Sequence, residues 1–382
     1  MIKNTIVIKE AATISGLKDF INFPFGLYAG NPFWVPTLRS DDLNTFRWDK
    51  NPAFEFCEAK YWLAYKDGKI AGRVAGIINR RHIEKWGQPY ARFGWIDFVD
   101  DPDVCKALLK SVEDWARGQG LEAVHGPLGF TDMDREGMLV EGFDELSTLA
   151  TFYNYPYYAA HIQAAGYAKD IDWVEFELRI PQKPDEKIAR LAEALLRRYD
   201  LRLLDFKNKK EMLRYAGAVF DLFQEAYQHL YGFTLLSRRQ VDAYIKQYFG
   251  FVSPDFVPMV VDAQDRMVAF GITLPSLSLA LQKSKGRLFP FGFIHLLKAL
   301  NRNDKGDLYL VAISHEYQGR GLNAILINRM IEVFNKYGIK SVESNPELEN
   351  NHRVQAQWKN FEHRQHKRRR VFIKQIISPD SI

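Results

Sequence analysis

The sequence lacks several features that would assign it to a particular class of protein. Its 382 residues include two cysteines, Cys57 and Cys105, which lie far apart, and this argues against a disulfide framework and against a zinc site. No apolar run approaches the roughly 20 residues that a membrane-spanning helix needs. The first residues, Met-Ile-Lys-Asn-Thr, lack the apolar core of a signal peptide. These absences predict a cytoplasmic protein without a metal.

Outside one region the sequence also has no excess of charge of either sign. The formal net charge is +5, and residues 358–382 contain 7 Lys+Arg against 2 Asp+Glu, which accounts for the whole excess. The densest run is His363 to Arg370, and the apolar residues Val371 to Ile373 after it predict a strand. Such a run can bind nucleic acid, but more often it is a solvated hairpin or helps to hold one anionic ligand. We therefore do not favour nucleic acid as a partner.

What the sequence does contain is a glycine-rich turn between an apolar strand and an amphipathic helix. The strand is predicted over Leu308 to Ile313, and the helix opens at Leu322 with apolar residues at helical spacing. Between them lies Gln318-Gly319-Arg320-Gly321. Glycine lets the backbone come close to a ligand, and the first-turn N–H groups of a helix have no helical acceptor. The turn therefore predicts a phosphate or pyrophosphate site, to which Arg320 adds a positive charge.

Two familiar phosphate-binding loops do not fit this turn. The Lys and the hydroxyl residue of a P-loop are missing, and Ala324 takes the third glycine position of a dinucleotide fingerprint. The remaining pattern, Q/R-x-x-G-x-G/A after a strand, resembles the acyl-CoA pyrophosphate loop of the GNAT acetyltransferase superfamily. Gln318 and Gly321 match that loop, and Asn323 stands where Gly or Ala is usual.

The order of predicted elements occurs twice, which indicates two domains of one kind. Each half predicts β-α-α-β-β-β-α-β-α-β, the order of a single GNAT domain. Several segments resemble a family of uncharacterised bacterial tandem-GNAT proteins, among them Asn31 to Pro36, Gly72 to Ala75 and Gly137 to Asp144. The resemblance implies an α/β (α+β) fold with two tandem GNAT-like domains. Each would be a mixed, mostly antiparallel sheet flanked by helices.

The two predicted domains, 1–180 and 181–382, differ where the pyrophosphate loop belongs. The first half has Val99-Asp100-Asp101-Pro102-Asp103 at that place, and three carboxylates would repel a pyrophosphate. Only the second half is therefore predicted to bind acyl-CoA. It also carries an apolar and basic insertion at 276–306, which is open to three interpretations: an acyl-chain pocket, transient membrane-surface contact, or packing between the halves.

The resemblance further implies transfer of an acyl group from acetyl-CoA or another acyl-CoA to a small-molecule or lipid amine. Glu343 is the first candidate for the general base and Asp307 the second. The implied acyl-CoA-binding positions are Leu310, Val311, Ala312, Ile313, Gln318, Gly319, Arg320, Gly321, Leu322, Asn323, Ala324 and Asn351.

One departure from the family pattern bears on whether the chain is an enzyme. Trp358 stands where a GNAT domain usually has the tyrosine that protonates the leaving thiolate, and an indole N–H cannot replace it. Besides an N-acyltransferase, the sequence leaves open an aminoacyl-tRNA-dependent transferase, a non-catalytic acyl-CoA sensor and a lipid-modifying N-acyltransferase at a membrane surface. The acceptor, the acyl-chain length and the oligomeric state, including a homodimer, are not specified by the sequence.

Overall fold

The computed structural model of the protein describes residues 5–250 and 252–377. The strands in these ranges are β1 (Ile6–Glu10), β2 (Cys57–Lys66), β3 (Lys69–Asn79), β4 (Tyr90–Phe98), β5 (Ala123–Gly126), β6 (Met138–Glu141), β7 (Ala168–Arg179), β8 (Arg202–Leu203), β9 (Met259–Val261), β10 (Met267–Pro275), β11 (Lys305–Ile313), β12 (Ser341–Ser344), β13 (Glu347–Leu348) and β14 (His363–Gln375). The α-helices are α1 (Ile14–Leu27), α2 (Arg39–Thr45), α3 (Arg80–Trp86), α4 (Pro102–Gly118), α5 (Tyr157–Ala164), α6 (Glu186–Arg198), α7 (Lys209–Leu213), α8 (Ala216–Tyr227), α9 (Arg238–Tyr244), α10 (Ser278–Ser284), α11 (Gly292–Asn301), α12 (Asn323–Tyr337) and α13 (His352–Gln355).

The strands of both halves join into one continuous sheet. Their order is β1-β2-β3-β4-β5-β14-β7-β12-β11-β10-β9-β8, with β6 paired to β14 and β13 paired to β7 beside this path. Counted inward from one end of the sheet, the order is β1 to β5, and counted inward from the other end it is β8 to β12. The two halves therefore place their strands in the same order. The structure confirms the expected mixed sheet flanked by helices.

Each half contains one parallel strand pair, and a helix connects the two strands of that pair. β4 and β5 flank α4, while β11 and β12 flank α12. A parallel pair needs such a crossover, whereas antiparallel neighbours can be joined by a short turn. The other strand pairs of the described residues are antiparallel. The predicted pyrophosphate loop therefore lies at the strand-to-helix junction of the second parallel pair.

The halves exchange their last strands at the centre of the sheet. β14, near the end of the chain, lies between β5 and β7, so it extends the sheet of the first half. β7 pairs on its other side with β12 of the second half. β7 and β14 are 12 and 13 residues long and face each other over most of their length. The domain ranges 1–180 and 181–382 stay a prediction, and the last strand of each range lies against the other half.

The basic run at 363–370 is the first part of β14, which pairs with β7 along the run and with β6 from Arg368 to Arg370. Our interpretation of it as a solvated hairpin or an anion-holding segment is wrong, because β7 supplies opposing carboxylates across the strand pair. Arg369 and Glu175 are both fully buried and their atoms lie 2.5 Å apart. Asp172 accepts from Arg370 at 2.8 Å. The positive charge of the run is therefore neutralised within the sheet.

The insertion at 276–306 forms two helices, α10 and α11, between β10 and β11. Leu277 and Leu281 are buried beside Val35 of the first half. The side-chain amide of Gln282 donates to the carbonyls of Pro32 and Trp34 at 2.8 and 2.9 Å. Of the three interpretations of this segment, packing between the halves therefore holds for its inner face.

Candidate functional site

The second half has an open strand edge next to the predicted loop. β12 pairs with β11 only from Lys305 to Leu308, while β11 continues to Ile313. Its pairing with β10 shifts register between Ile272 and Thr273, and the shift leaves Tyr309 outside the ladder. From Tyr309 to Ile313, no strand in the described ranges pairs with β11 on the β12 side. Such an edge suits an extended ligand that carries amide groups, because the ligand can add as a strand would.

Two side chains contact the backbone of this open edge. The Tyr227 hydroxyl donates to the carbonyl of Val311 at 3.0 Å, and the Asn345 amide donates to the carbonyl of Tyr309 at 3.0 Å. The predicted ligand-binding residues 310–313 therefore do lie along the open edge. A ligand that bonded to the Val311 carbonyl would have to share it with, or take it from, Tyr227.

The loop that follows β11 leaves several backbone amides without a hydrogen-bond partner among the described residues. Gly319 and Gly321 have φ angles of +75° and +85°, a left-handed conformation that glycine adopts without strain. No side chain caps the first turn of α12. Within the described residues, the amides of Gly319, Gly321, Leu322 and Asn323 have no hydrogen-bond acceptor. Four free donors at a helix N-terminus fit a phosphate group.

The remaining predicted loop residues have other contacts. The amides of Gln318, Arg320 and Ala324 donate to nearby backbone carbonyls at 3.1, 3.3 and 2.9 Å. The Arg320 guanidinium lies over the rings of Tyr199 and Tyr317, with its central carbon 5.4 and 5.5 Å from the ring centres. These rings hold the exposed cation beside the four free amides, where its charge favours an anion.

The two predicted catalytic carboxylates, Asp307 and Glu343, are neighbours across the β11–β12 pair. Burial raises the pKa of Asp307, which is 5% exposed, to about 6, and the Tyr309 hydroxyl donates to it at 3.2 Å. Burial also raises the pKa of Glu343, although the bound Lys367 ammonium opposes that effect. Of the two carboxylates, Asp307 accepts the hydrogen bond from Tyr309, the residue at which the open edge begins.

A third carboxylate, Glu347, was not predicted from the sequence. Trp358 donates its indole N–H to one oxygen of Glu347 at 2.8 Å, and the other oxygen is buried without a partner. Burial raises the pKa of Glu347 to about 7. Burial also raises the pKa of Tyr227 to about 12, and the charge of Glu347 contributes to that increase. Glu347 is therefore hydrogen-bonded to the tryptophan at the usual tyrosine position, and its charge acts on the Tyr227 hydroxyl at the open edge.

Asn351 has a local structural contact. Its side-chain oxygen accepts from the amide of Val354 at 3.4 Å and so caps α13. Its own amide donates to the carbonyl of Leu348 at 2.9 Å. Among the described residues, no hydrogen bond joins Asn351 to β11 or to the loop, and its predicted ligand contact stays a prediction.

Neither a metal-ligand cluster nor a membrane-spanning helix occurs in the ranges that the structure describes. No group of three or more His, Cys, Asp or Glu side chains there could hold a metal ion. No helix there is long and apolar enough to cross a membrane.

Similarity to known proteins agrees with this geometry. Residues 218–361 match the sequence model of the acetyltransferase (GNAT) family, a range that includes the open edge, the loop and all three carboxylates. The structure is also similar to a tandem GNAT protein from the clavulanic acid biosynthesis pathway, with a TM-score of 0.55 and 14% sequence identity over 98% of this chain and 100% of that one. The chain therefore has a tandem GNAT fold. A GNAT protein from Sphaerobacter thermophilus gives a TM-score of 0.52 at 11% identity over 98% and 96% of the two chains.

Two proteins similar to this chain in sequence are bacterial. Protein YghO of Escherichia coli (strain K12) is 28% identical over 389 residues, covering 98% of this chain and 97% of that protein. A protein named bacterial ceramide synthase, from Caulobacter vibrioides (strain NA1000 / CB15N), is 25% identical over 287 residues, covering 75% and 74%. The family match supports acyltransferase activity in general terms, with acyl-CoA as the cosubstrate that GNAT proteins use.

Proposed function

We propose that this protein is an acyl-CoA-dependent N-acyltransferase whose active site lies in its second half. The observation that carries the proposal is the combination of an open strand edge at 309–313 with four free amides at the helix that follows. An extended amide-containing arm and a diphosphate are the two parts of CoA that such a surface suits. Acyl-CoA supplies a thioester, whose acyl carbon is the atom that an amine attacks.

In this proposal Asp307 is the general base. An amine must lose a proton as it attacks, and a base works best when its pKa lies near the working pH. Asp307, with a pKa of about 6, is largely ionised at neutral pH and can accept that proton. Glu343 is less suited because its carboxylate already binds the Lys367 ammonium. It stays the alternative base, and the two carboxylates can be separated by mutation.

Glu347 is the proposed proton donor for the leaving thiolate. The usual tyrosine is absent, but the indole that replaces it holds a carboxyl group with a pKa of about 7. Such a group is protonated in a large fraction of molecules at neutral pH, so it can deliver a proton. Its partnerless oxygen is the natural position for that proton. The non-catalytic alternative therefore loses its main argument, which was the missing tyrosine.

The proposed acceptor is the amino group of a lipid-like molecule. One relative carries the name bacterial ceramide synthase, and ceramide formation joins an acyl group to an amine on a long apolar chain. The aminoacyl-tRNA alternative gains no support, because the basic run at 363–370 faces carboxylates of β7.

A thiol-release assay tests the proposal. The full-length protein is incubated with acetyl-CoA or palmitoyl-CoA and either a long-chain amino alcohol or ethanolamine, and the free CoA thiol is measured over time. We expect release only when both substrates are present, and fastest with the long-chain amine. No amine-dependent release from any pair, in a preparation that binds acyl-CoA by calorimetry, would contradict an enzymatic role.

A further inference from the structure

The outer face of the α10–α11 hairpin exposes an unusual number of large apolar side chains. Six of the twelve large apolar residues that are exposed in the described chain lie within the 19 residues 279–297. They are Leu279, Phe289, Phe291, Phe293, Ile294 and Leu297, with exposed fractions from 38% to 76%. Scattered apolar residues are normal on a soluble protein, but a contiguous group indicates an interaction surface.

The same hairpin carries positive charge that no carboxylate neutralises. Its five exposed cations are Lys283, Lys285, Arg287, Lys298 and Arg302. Segment 277–303 contains no Asp or Glu, and none of the five forms an ion pair with any described residue, whereas Lys305 just after the hairpin pairs with Glu177. The basic strand β14 differs sharply, because its cations face the carboxylates of β7.

This exposed face belongs to a firmly held element. The carbonyl of Gly286 accepts from the amide of Arg39 at 3.0 Å, and the Asn303 side chain closes the base of the hairpin by donating to the carbonyl of Ser276 at 2.6 Å. Together with the buried Leu277 and Leu281, these bonds fix the inner face on the first half. The outer apolar residues therefore form a surface patch on an ordered hairpin.

We propose that the outer face of residues 279–302 docks on an anionic membrane surface. Apolar and aromatic side chains would enter the boundary between headgroups and acyl chains, and the surrounding cations would contact lipid phosphates. A second copy of the chain fits less well, because a twofold interface would bring this acid-free basic surface against itself. A lipid surface satisfies the apolar residues and the cations together.

The position of the hairpin agrees with delivery of a lipid amine. The hairpin leads directly into Lys305, the first residue of β11, whereas the pyrophosphate loop follows Ile313. Nine extended residues separate these points by roughly 26 Å at about 3.3 Å per step. The membrane-facing end would thus lie beside Asp307, with the four free amides beyond the far end of the strand. Only this alignment with the active site rests on the proposed function; the docking itself does not.

Vesicle binding without acyl-CoA tests the docking surface. The full-length protein is sedimented with vesicles of phosphatidylcholine alone, or of phosphatidylcholine with phosphatidylglycerol as the minor component. We expect at least tenfold stronger binding to the anionic vesicles, weakened by salt. The double variant Phe291→Glu/Leu297→Glu should lose this binding, and Lys283→Glu/Arg287→Glu should reduce it while leaving the melting temperature unchanged.

The matched control is Leu213→Glu/Leu235→Glu, which alters two exposed apolar residues on other elements. It should bind as the unmodified protein does. The proposal is overturned if neither vesicle is bound, if the control loses binding equally, or if the hairpin variants instead convert a dimer into a monomer. A failed vesicle assay with intact amine-dependent thiol release would reject the membrane surface and leave the proposed activity standing.

Discussion

The two helices that follow the first strand of each parallel pair, α4 and α12, begin in opposite ways. At α4 the Asp101 carboxylate accepts from the amides of Asp103 and Val104 at 3.0 and 3.4 Å, and the same carboxylate binds Lys66. At α12 no side chain caps the first turn, and four amides in or before it are free. One topology thus gives a closed helix N-terminus in the first half and an open one in the second.

The parallel strand pairs beside these helices also differ in the charged residues that they carry. At the third pairing position, the first half has Arg92 opposite His125, where the second half has Asp307 opposite Glu343. Arg92 donates to backbone carbonyls at 3.0 and 3.1 Å, so it contributes to structure. The facing carboxylates, one of them the proposed base, and the free amides therefore occur together in one half. The two halves share a framework, and a few side chains decide which of them can carry chemistry.

Placing a carboxylate at the open N-terminus of α12 should have the largest effect, a loss of acyl-CoA affinity. Gly321→Glu places a carboxylate beside the four free amides, which would repel a diphosphate as well as strain a left-handed position. We expect acyl-CoA affinity to fall at least about a hundredfold, or about 2.7 kcal/mol, by calorimetry. The control is Gly338→Glu, a glycine with φ of +75° at the other end of α12. Equal losses from both variants would place the ligand elsewhere.

Removing the proposed base should have the second largest effect, a loss of turnover. Asp307→Asn keeps the shape of the side chain but cannot accept a proton, so kcat should fall about 10² to 10⁴-fold with little change in acyl-CoA affinity. The comparison variant is Glu343→Gln, at the facing position on β12. A larger kcat loss in Glu343→Gln than in Asp307→Asn would transfer the role of base to Glu343.

The pH dependence of kcat/KM should reveal both carboxyl groups. Asp307 must be ionised, so the rate should rise as pH increases through about 6, its pKa. Glu347 must be protonated, so the rate should fall as pH increases through about 7, its pKa. Glu347→Gln should lower the rate and abolish the alkaline decline, because the amide does not titrate. An unchanged alkaline limb in that variant would exclude Glu347 as the donor.

The smallest effect is expected at the closed N-terminus. Asp101→Ala removes the α4 cap and should lower the free energy of unfolding by about 1 kcal/mol, measured by urea denaturation. Asp103→Ala, in the same turn but without a cap bond, should cost only a few tenths of that. Neither should alter acyl-CoA affinity. A loss of affinity in Asp101→Ala would show that the first half takes part in binding.

Local pattern was enough to predict the features that depend on neighbours in sequence. The helical spacing of apolar residues from Leu322 onward and the glycines before it located the start of α12 to within one residue. These features follow from short-range backbone preferences, which the sequence states directly.

Features that depend on distant parts of the chain could not be predicted in this way. The basic run at 363–370 looked like a surface charge because its partners Asp172 and Glu175 lie nearly 200 positions away. Glu347 had no signal of its own, since its raised pKa comes from burial and its partner Trp358 lies eleven residues later. Trp358, at the usual tyrosine position, was the one sequence feature that pointed toward Glu347, the proposed proton donor.

The exchanged strands have a consequence for biosynthesis. β14 fills the place between β5 and β7, so the first half cannot complete its sheet until residue 375 has left the ribosome. Until then β5 and β7 present unpaired backbone edges, which are sites of aggregation in incomplete chains. A truncation that removed this strand would therefore damage the half of the protein translated first.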